Sequence, residues 1–132
     1  MNAAMLLEAK QIRPSVLRIA VLEHLMQTKA HPTIEEIYHI LHPKIPTLSK
    51  TSVYNITKLL TEKGLLKAIT IDEKQIRYDA DVSMHGHFLC ERCGRVLDFS
   101  LTGISDGALD GFSIYTKEVY YSGVCKDCLK DE

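Results

Sequence analysis

A chain of 132 residues with 45% hydrophobic and 25% charged side chains has the balance of one ordinary globular domain, or of two small ones held by something besides apolar burial. Sixteen basic and seventeen acidic residues leave a net charge of −1, which excludes a general electrostatic attraction to nucleic acid or membrane. No apolar run reaches membrane-spanning length, and the opening MNAAMLLEAK lacks a basic segment followed by a long apolar core, so the expectation is a cytoplasmic protein with no membrane association.

The first element in chain order is VLRIAVLEHLMQ, apolar at 17, 21, 22 and 25, the stripe of a helix. HPTIEEIYHIL follows, with Thr33 as N-cap and Glu36 three residues on, a capping box; Ile34, Ile37, Ile40 and Leu41 mark its buried face. The two prolines of HPKIPTL end that helix, and SKTSVYNITKLLTEKGLL opens a third at Ser49 and stops it at Gly64. LLKAITIDEKQIRYDA reads as two short strands about an Asp-Glu-Lys turn. Three helices and a hairpin give the order of a winged helix-turn-helix. Beyond Asp81 the composition changes: HFLCERCGRVLDFS and FSIYTKEVYYSGVC are rich in strand formers, and LTGISDGALDG between them supports only a short helix. The predicted architecture is α+β, with a winged-helix domain over 1–81 and a small α/β domain over 82–132.

The third helix carries two faces. Val53, Ile56, Leu59 and Leu60 point inward, whereas Thr51, Tyr54, Asn55 and Lys58 form a polar stripe. Asn bonds adenine edges, Lys meets phosphate, and aromatic or methyl groups touch thymine, so this stripe suits a major groove; a plain solvated helix face is the alternative. Arg13, Arg18, Lys74 and Arg77 are placed to neutralise flanking phosphates. The charge split agrees in sign: residues 1–83 hold eleven basic and nine acidic side chains, residues 84–132 five and eight.

The pairs Cys90/Cys93 and Cys125/Cys128 form two C-x-x-C knuckles. In a reducing compartment such pairs point to metal or redox chemistry, and four thiolates match the softness and tetrahedral preference of Zn²⁺. The expectation is a closed structural zinc site tying the start of a small β-unit to its end; separate redox motifs are the alternative. In an extended HGHFLC, His85 and His87 share one face and Cys90 lies on the other, which argues for a second site. Asp98 on the following strand, Asp79 at the end of the hairpin and His31 before the second helix are the available partners. Imidazole with carboxylate suits Fe²⁺, Mn²⁺ or Zn²⁺, and the competing reading is surface histidine. His24, His39 and His42 lack such partners and are read as surface or packing residues.

HPTIEEIY, TSVYNITKLLTEKGLL, the RYD triplet, HGHFLCERCGRVLDF and YSGVCKDC, in this order over nearly the whole chain, resemble the ferric uptake regulator family, and its peroxide-sensing branch most closely. The resemblance implies an N-terminal winged helix, a C-terminal α/β dimerisation domain with a structural zinc on Cys90, Cys93, Cys125 and Cys128, and a homodimer on double-stranded A/T-rich inverted-repeat operators. It implies a regulatory Fe²⁺ or Mn²⁺ site of His31, Asp79, His85, His87 and Asp98, and a base-contacting Tyr54. Peroxide sensors of the family have Asp where this chain has Asp98, whereas iron sensors commonly have Glu. With Fe²⁺ bound they react with H₂O₂ and oxidise a ligand His, here His31 or His85, releasing DNA.

This chain departs from the family pattern in three places. Ser15-Val16-Leu17-Arg18 stands where the family has T-P-Q-R. YTKEVYYSGVC lacks the His of a further metal site, which is expected to be absent, and the usual dimer-domain helix is shortened to LTGISDGALDG. The expected function is a metal-dependent transcriptional repressor sensing peroxide, with an iron, manganese or zinc uptake regulator as the alternative. An enzyme of metal-assisted hydrolysis is disfavoured, because five protein ligands leave little room for substrate and no general base stands out; a zinc-stabilised interaction module is the third reading.

Overall fold

The computed structural model describes residues 1–105 and 107–131, which form two compact units, Met1–Val82 and Ser83–Glu132. In the first unit, helices α1 (Ala3–Ala9), α2 (Val16–Gln27), α3 (Ile34–Leu41) and α4 (Lys50–Glu62) precede an antiparallel pair, β1 (Lys67–Ile69) and β2 (Arg77–Asp79). Side chains cap each helix start. Asn2, Ser15, Thr33 and Ser49 accept from backbone N–H groups three residues on, and Glu36 completes the capping box of α3. Gly64 ends the α4 segment with φ +78°, a conformation that a side chain would strain.

Leu7, Val21, Leu22, Leu25, Ile37, Val53 and Leu60 are buried in one core that α1 to α4 share. The sequence reading missed α1, whose buried Ala3 and Leu7 are too few to show a period, and the four-residue helix Lys126–Leu129 that ends the second unit. Two predicted inward positions also shift. Ile40 is 49% exposed, because Ile37 and Leu41 one turn apart carry the stripe of α3 and Ile40 lies off it. In α4, Thr57 is fully buried where Leu59 is only half-buried; the Thr57 hydroxyl donates to the Val53 carbonyl at 2.9 Å and needs no water. The hairpin connection is longer than the predicted turn, spanning 70–76.

In the second unit, β3 (Gly86–Cys90) is the central strand, antiparallel to β4 (Val96–Phe99) and parallel to β5 (Val119–Gly123); a short helix α5 (Lys126–Leu129) follows. The register pairs His87 with Asp98 and Tyr120 on one face, and Phe88 with Leu97 and Tyr121 on the other. β5 is shorter than the sequence predicts, since its pairing with β3 begins at Gly86↔Val119. Among the described residues, 101–111 holds no helix: Gly103, Gly107 and Gly111 all have positive φ, which no α-helix accepts, and Asp106 lies outside the described residues. No helix among the described residues is long and apolar enough to cross a membrane.

Candidate metal centres and nucleic-acid interface

The knuckles meet at one end of the sheet. After β3 the chain turns through Gly94 (φ +75°), with Gly94 N–H donating to the Cys90 carbonyl at 2.9 Å. Glu91 N–H donates to the Gly123 carbonyl at 2.8 Å, which brings the end of β5 and the start of α5 beside this turn. The four Sγ atoms lie within 4.8 Å of one another, with Cys90–Cys128 at 3.7 Å and Cys93–Cys125 at 3.9 Å. Four thiolates about 2.3 Å from a tetrahedral Zn²⁺ have edges of about 3.8 Å, so the cluster fits the ion.

The surroundings favour anionic sulfur. Backbone N–H groups of Cys125 and Cys93 point at the Cys90 thiol, each at 3.4 Å, and hold its pKa down to about 5. Backbone N–H of Cys128 and the Arg95 guanidinium lower Cys125. The Cys125 sulfur, burial and the remaining cysteines push Cys128 up to about 12. Arg95 reaches Cys93 at 3.4 Å, Cys125 at 3.3 Å and Asp127 at 3.0 Å, a contact the sequence did not signal.

On the other face of the same sheet, His85 Nε2 and His87 Nε2 lie 3.3 and 3.2 Å from a single oxygen, Asp98 Oδ1. Ligands in cis positions about 2.1 Å from an ion are about 3.0 Å apart in an octahedron and about 3.4 Å in a tetrahedron, so these spacings suit one divalent cation. His85 Nδ1 donates to the Ser83 carbonyl at 2.8 Å, and this fixes the neutral ring with its lone pair on Nε2, the atom facing Asp98. His87 is fully buried, and its ring meets Tyr120 edge-on at 6.1 Å. Gly86 separates the two histidines for a steric reason: a Cβ there would overlap the Phe99 ring. Gly86→Ala should therefore destabilise the second unit by about 1–3 kcal/mol and weaken divalent-metal binding at the His pair, measurable by thermal melting and Mn²⁺ titration.

The first unit holds a second pair, His31 Nε2 and Asp79 Oδ2 at 3.4 Å, both buried. Asp79 ends β2, and Tyr78 N–H donates to the Pro32 carbonyl at 3.1 Å, so the strand carries the carboxylate to the segment before α3. His24, His39 and His42 stand apart from these pairs. His39 contacts Glu35 at 3.2 Å on the exposed face of α3, and His42 Nδ1 donates to the Leu48 carbonyl at 2.9 Å. Burial lowers the pKa of His24, and Lys44 adds to the effect.

Thr51, Tyr54, Asn55 and Lys58 are all exposed on α4, forming one polar stripe. Arg13 and Lys74 are exposed, and Arg18 is half-buried, donating to the Arg13 carbonyl at 3.1 Å. Arg77 differs from these in being turned inward: its side chain is only 13% exposed, and Nη1 donates to the His31 carbonyl at 3.1 Å and contacts Glu36 at 3.4 Å.

Comparisons with known proteins agree with this geometry. The model of the ferric uptake regulator family matches residues 9–122. The peroxide operon regulator of Bacillus subtilis is 35% identical over 126 residues, 92% of this chain and 87% of that one. Among solved structures, the peroxide-sensing PerR from Streptococcus pyogenes is 28% identical with a TM-score of 0.56, covering 97% of this chain and 94% of its own. The ferric uptake regulator Fur of Helicobacter pylori, described as having three functional metal-binding sites, has the same fold at a TM-score of 0.73 and 21% identity, over 95% and 87%. With a winged-helix unit, a four-cysteine cluster, clustered His and Asp donors and a family match spanning most of its length, the chain belongs to the ferric uptake regulator family.

Proposed function

We propose that this protein is a cytoplasmic, metal-dependent, DNA-binding transcriptional repressor that responds to peroxide. The single observation carrying the regulatory part is the convergence of His85 and His87 on one Asp98 oxygen, with the His85 tautomer already set for ligation. His31 and Asp79 form the complementary pair in the first unit. The two sets are read as ligands of one regulatory Fe²⁺ or Mn²⁺, and the four cysteines as holding a structural Zn²⁺. A single ion shared between the reading unit and the dimer-forming unit would favour one DNA-competent arrangement, and near-complete switching needs about 5.5 kcal/mol of differential affinity.

Bound iron would supply the reaction with hydrogen peroxide that oxidises a ligand imidazole. The chain's own part is to hold His31 and His85 at the ion, with His87 and Asp98 beside them. Anaerobic Fe²⁺ loading, a peroxide pulse and peptide mass analysis test this. The expected result is a gain of one oxygen atom on the peptide holding His31 or His85. Its absence, with iron shown to be bound, would leave a plain metal-uptake regulator.

Duplex DNA with an A/T-rich inverted repeat is the proposed partner, read by Tyr54 and Asn55 in successive major grooves about 34 Å apart in a homodimer. Asn55→Ala should cost about 1–3 kcal/mol of operator affinity, whereas Lys58→Ala should weaken all sequences alike and reduce the salt slope by about 1. Fluorescence anisotropy on such a duplex over a salt series measures both. The dimer surface is proposed on the sheet face of Phe88, Leu97 and Tyr121, where Leu97 and Tyr121 are exposed, extended by Phe112 and Tyr115 in the connection to β5.

A further inference from the structure

His31 occupies a conformation that its sequence disfavours. Its φ is +53°, in the left-handed region, and the next residue is Pro32, which ordinarily forces an extended backbone on its neighbour. Such backbone persists only where the surroundings over-determine it. Here β2 supplies the restraint at two positions on one side of the strand. Arg77 Nη1 donates to the His31 carbonyl at 3.1 Å, and Asp79, two residues on, meets the imidazole at 3.4 Å. Between them, Tyr78 N–H fixes the Pro32 carbonyl, and Thr33 bridges Arg77.

The guanidinium reaches further. Nη1 also contacts Glu36 Oε1 at 3.4 Å, the oxygen that accepts from Thr33 N–H and from the Thr33 hydroxyl, each at 3.1 Å. Through Nη1 a mostly buried cation meets one carbonyl and one carboxylate, and it joins the His31 backbone to the capping box that starts α3.

We propose that Arg77 is a positioning residue for His31: it holds the left-handed backbone that aims the imidazole along β2, and ties that geometry to the N-terminus of α3. The inference rests on the reading of His31 as a metal ligand and deepens it. Losing a charged hydrogen bond that preorganises one ligand should weaken metal binding by about tenfold without removing the site.

The test is a Mn²⁺ titration of zinc-loaded full-length protein, for wild type, Arg77→Met, Arg77→Lys and His31→Ala, together with operator affinity at saturating Mn²⁺. Arg77→Met should shift the Mn²⁺ midpoint about tenfold while leaving saturated operator affinity unchanged, and Arg77→Lys, which keeps one donor for the His31 carbonyl, should recover part of the shift. A merely structural role would lower both quantities. If Arg77→Met fails to fold, Arg77→Lys carries the test alone, with a shift smaller than tenfold but resolved. A wild-type midpoint in every folded Arg77 variant, or an equal loss of saturated operator affinity, overturns the inference. Mn²⁺ binding that His31→Ala leaves untouched overturns the underlying reading instead, and the inference with it.

Discussion

Cys90→Ser should strip the structural zinc and unfold the second unit, while the helices of the first unit remain. The reason is the size of the unit: three strands of four or five residues and a four-residue helix enclose little apolar volume. Structural zinc contributes about 10–16 kcal/mol of apparent binding energy, against a total stability of about 5–15 kcal/mol for an ordinary domain. Cys90 is the ligand with the most at stake, being fully buried with two backbone N–H groups directed at its sulfur. Elemental analysis should show loss of a zinc equivalent, and hydrogen exchange should show protection lost across residues 86–123 only. Retained zinc with native exchange would remove the structural role.

His87→Ala is expected to abolish the metal response of DNA binding, a loss of about 100-fold in operator affinity at saturating Mn²⁺, with zinc retained. The separation follows from strand alternation. His87 faces Asp98 and Tyr120, whereas Cys90 belongs to the opposite face, so deleting the imidazole leaves the thiolate cluster in place. His87 is also the most deeply placed imidazole of its set, so its removal opens a buried void beside Asp98. Operator affinity with and without chelator, alongside zinc content, checks both halves of the prediction.

Much of this molecule is legible before any coordinates. The capping residues Thr33 and Ser49, Gly64 and the two prolines after α3 place α3 and α4 almost to the residue, because caps and breakers act locally. The separation of cysteines from histidines follows from the period of a strand alone. What escapes is set by contacts distant in sequence. Arg77 reads as one more surface cation until β2 docks against the segment at His31, forty-six residues earlier. Arg95 likewise reaches Cys125 thirty residues away. The requirement for Gly86 comes from Phe99 on the neighbouring strand, and the exposure of Ile40 from the way α3 sits on the core.

The function proposed above has ligands from both units serve one regulatory ion and thereby control DNA binding. Mn²⁺-dependent operator binding compared across wild type, His31→Ala and His87→Ala tests it most directly, on one A/T-rich inverted-repeat duplex at fixed salt with zinc content held equal. The account predicts that each variant alone loses both the tight Mn²⁺ site and the metal response. A His31→Ala protein that binds Mn²⁺ and switches onto DNA as wild type does would contradict it.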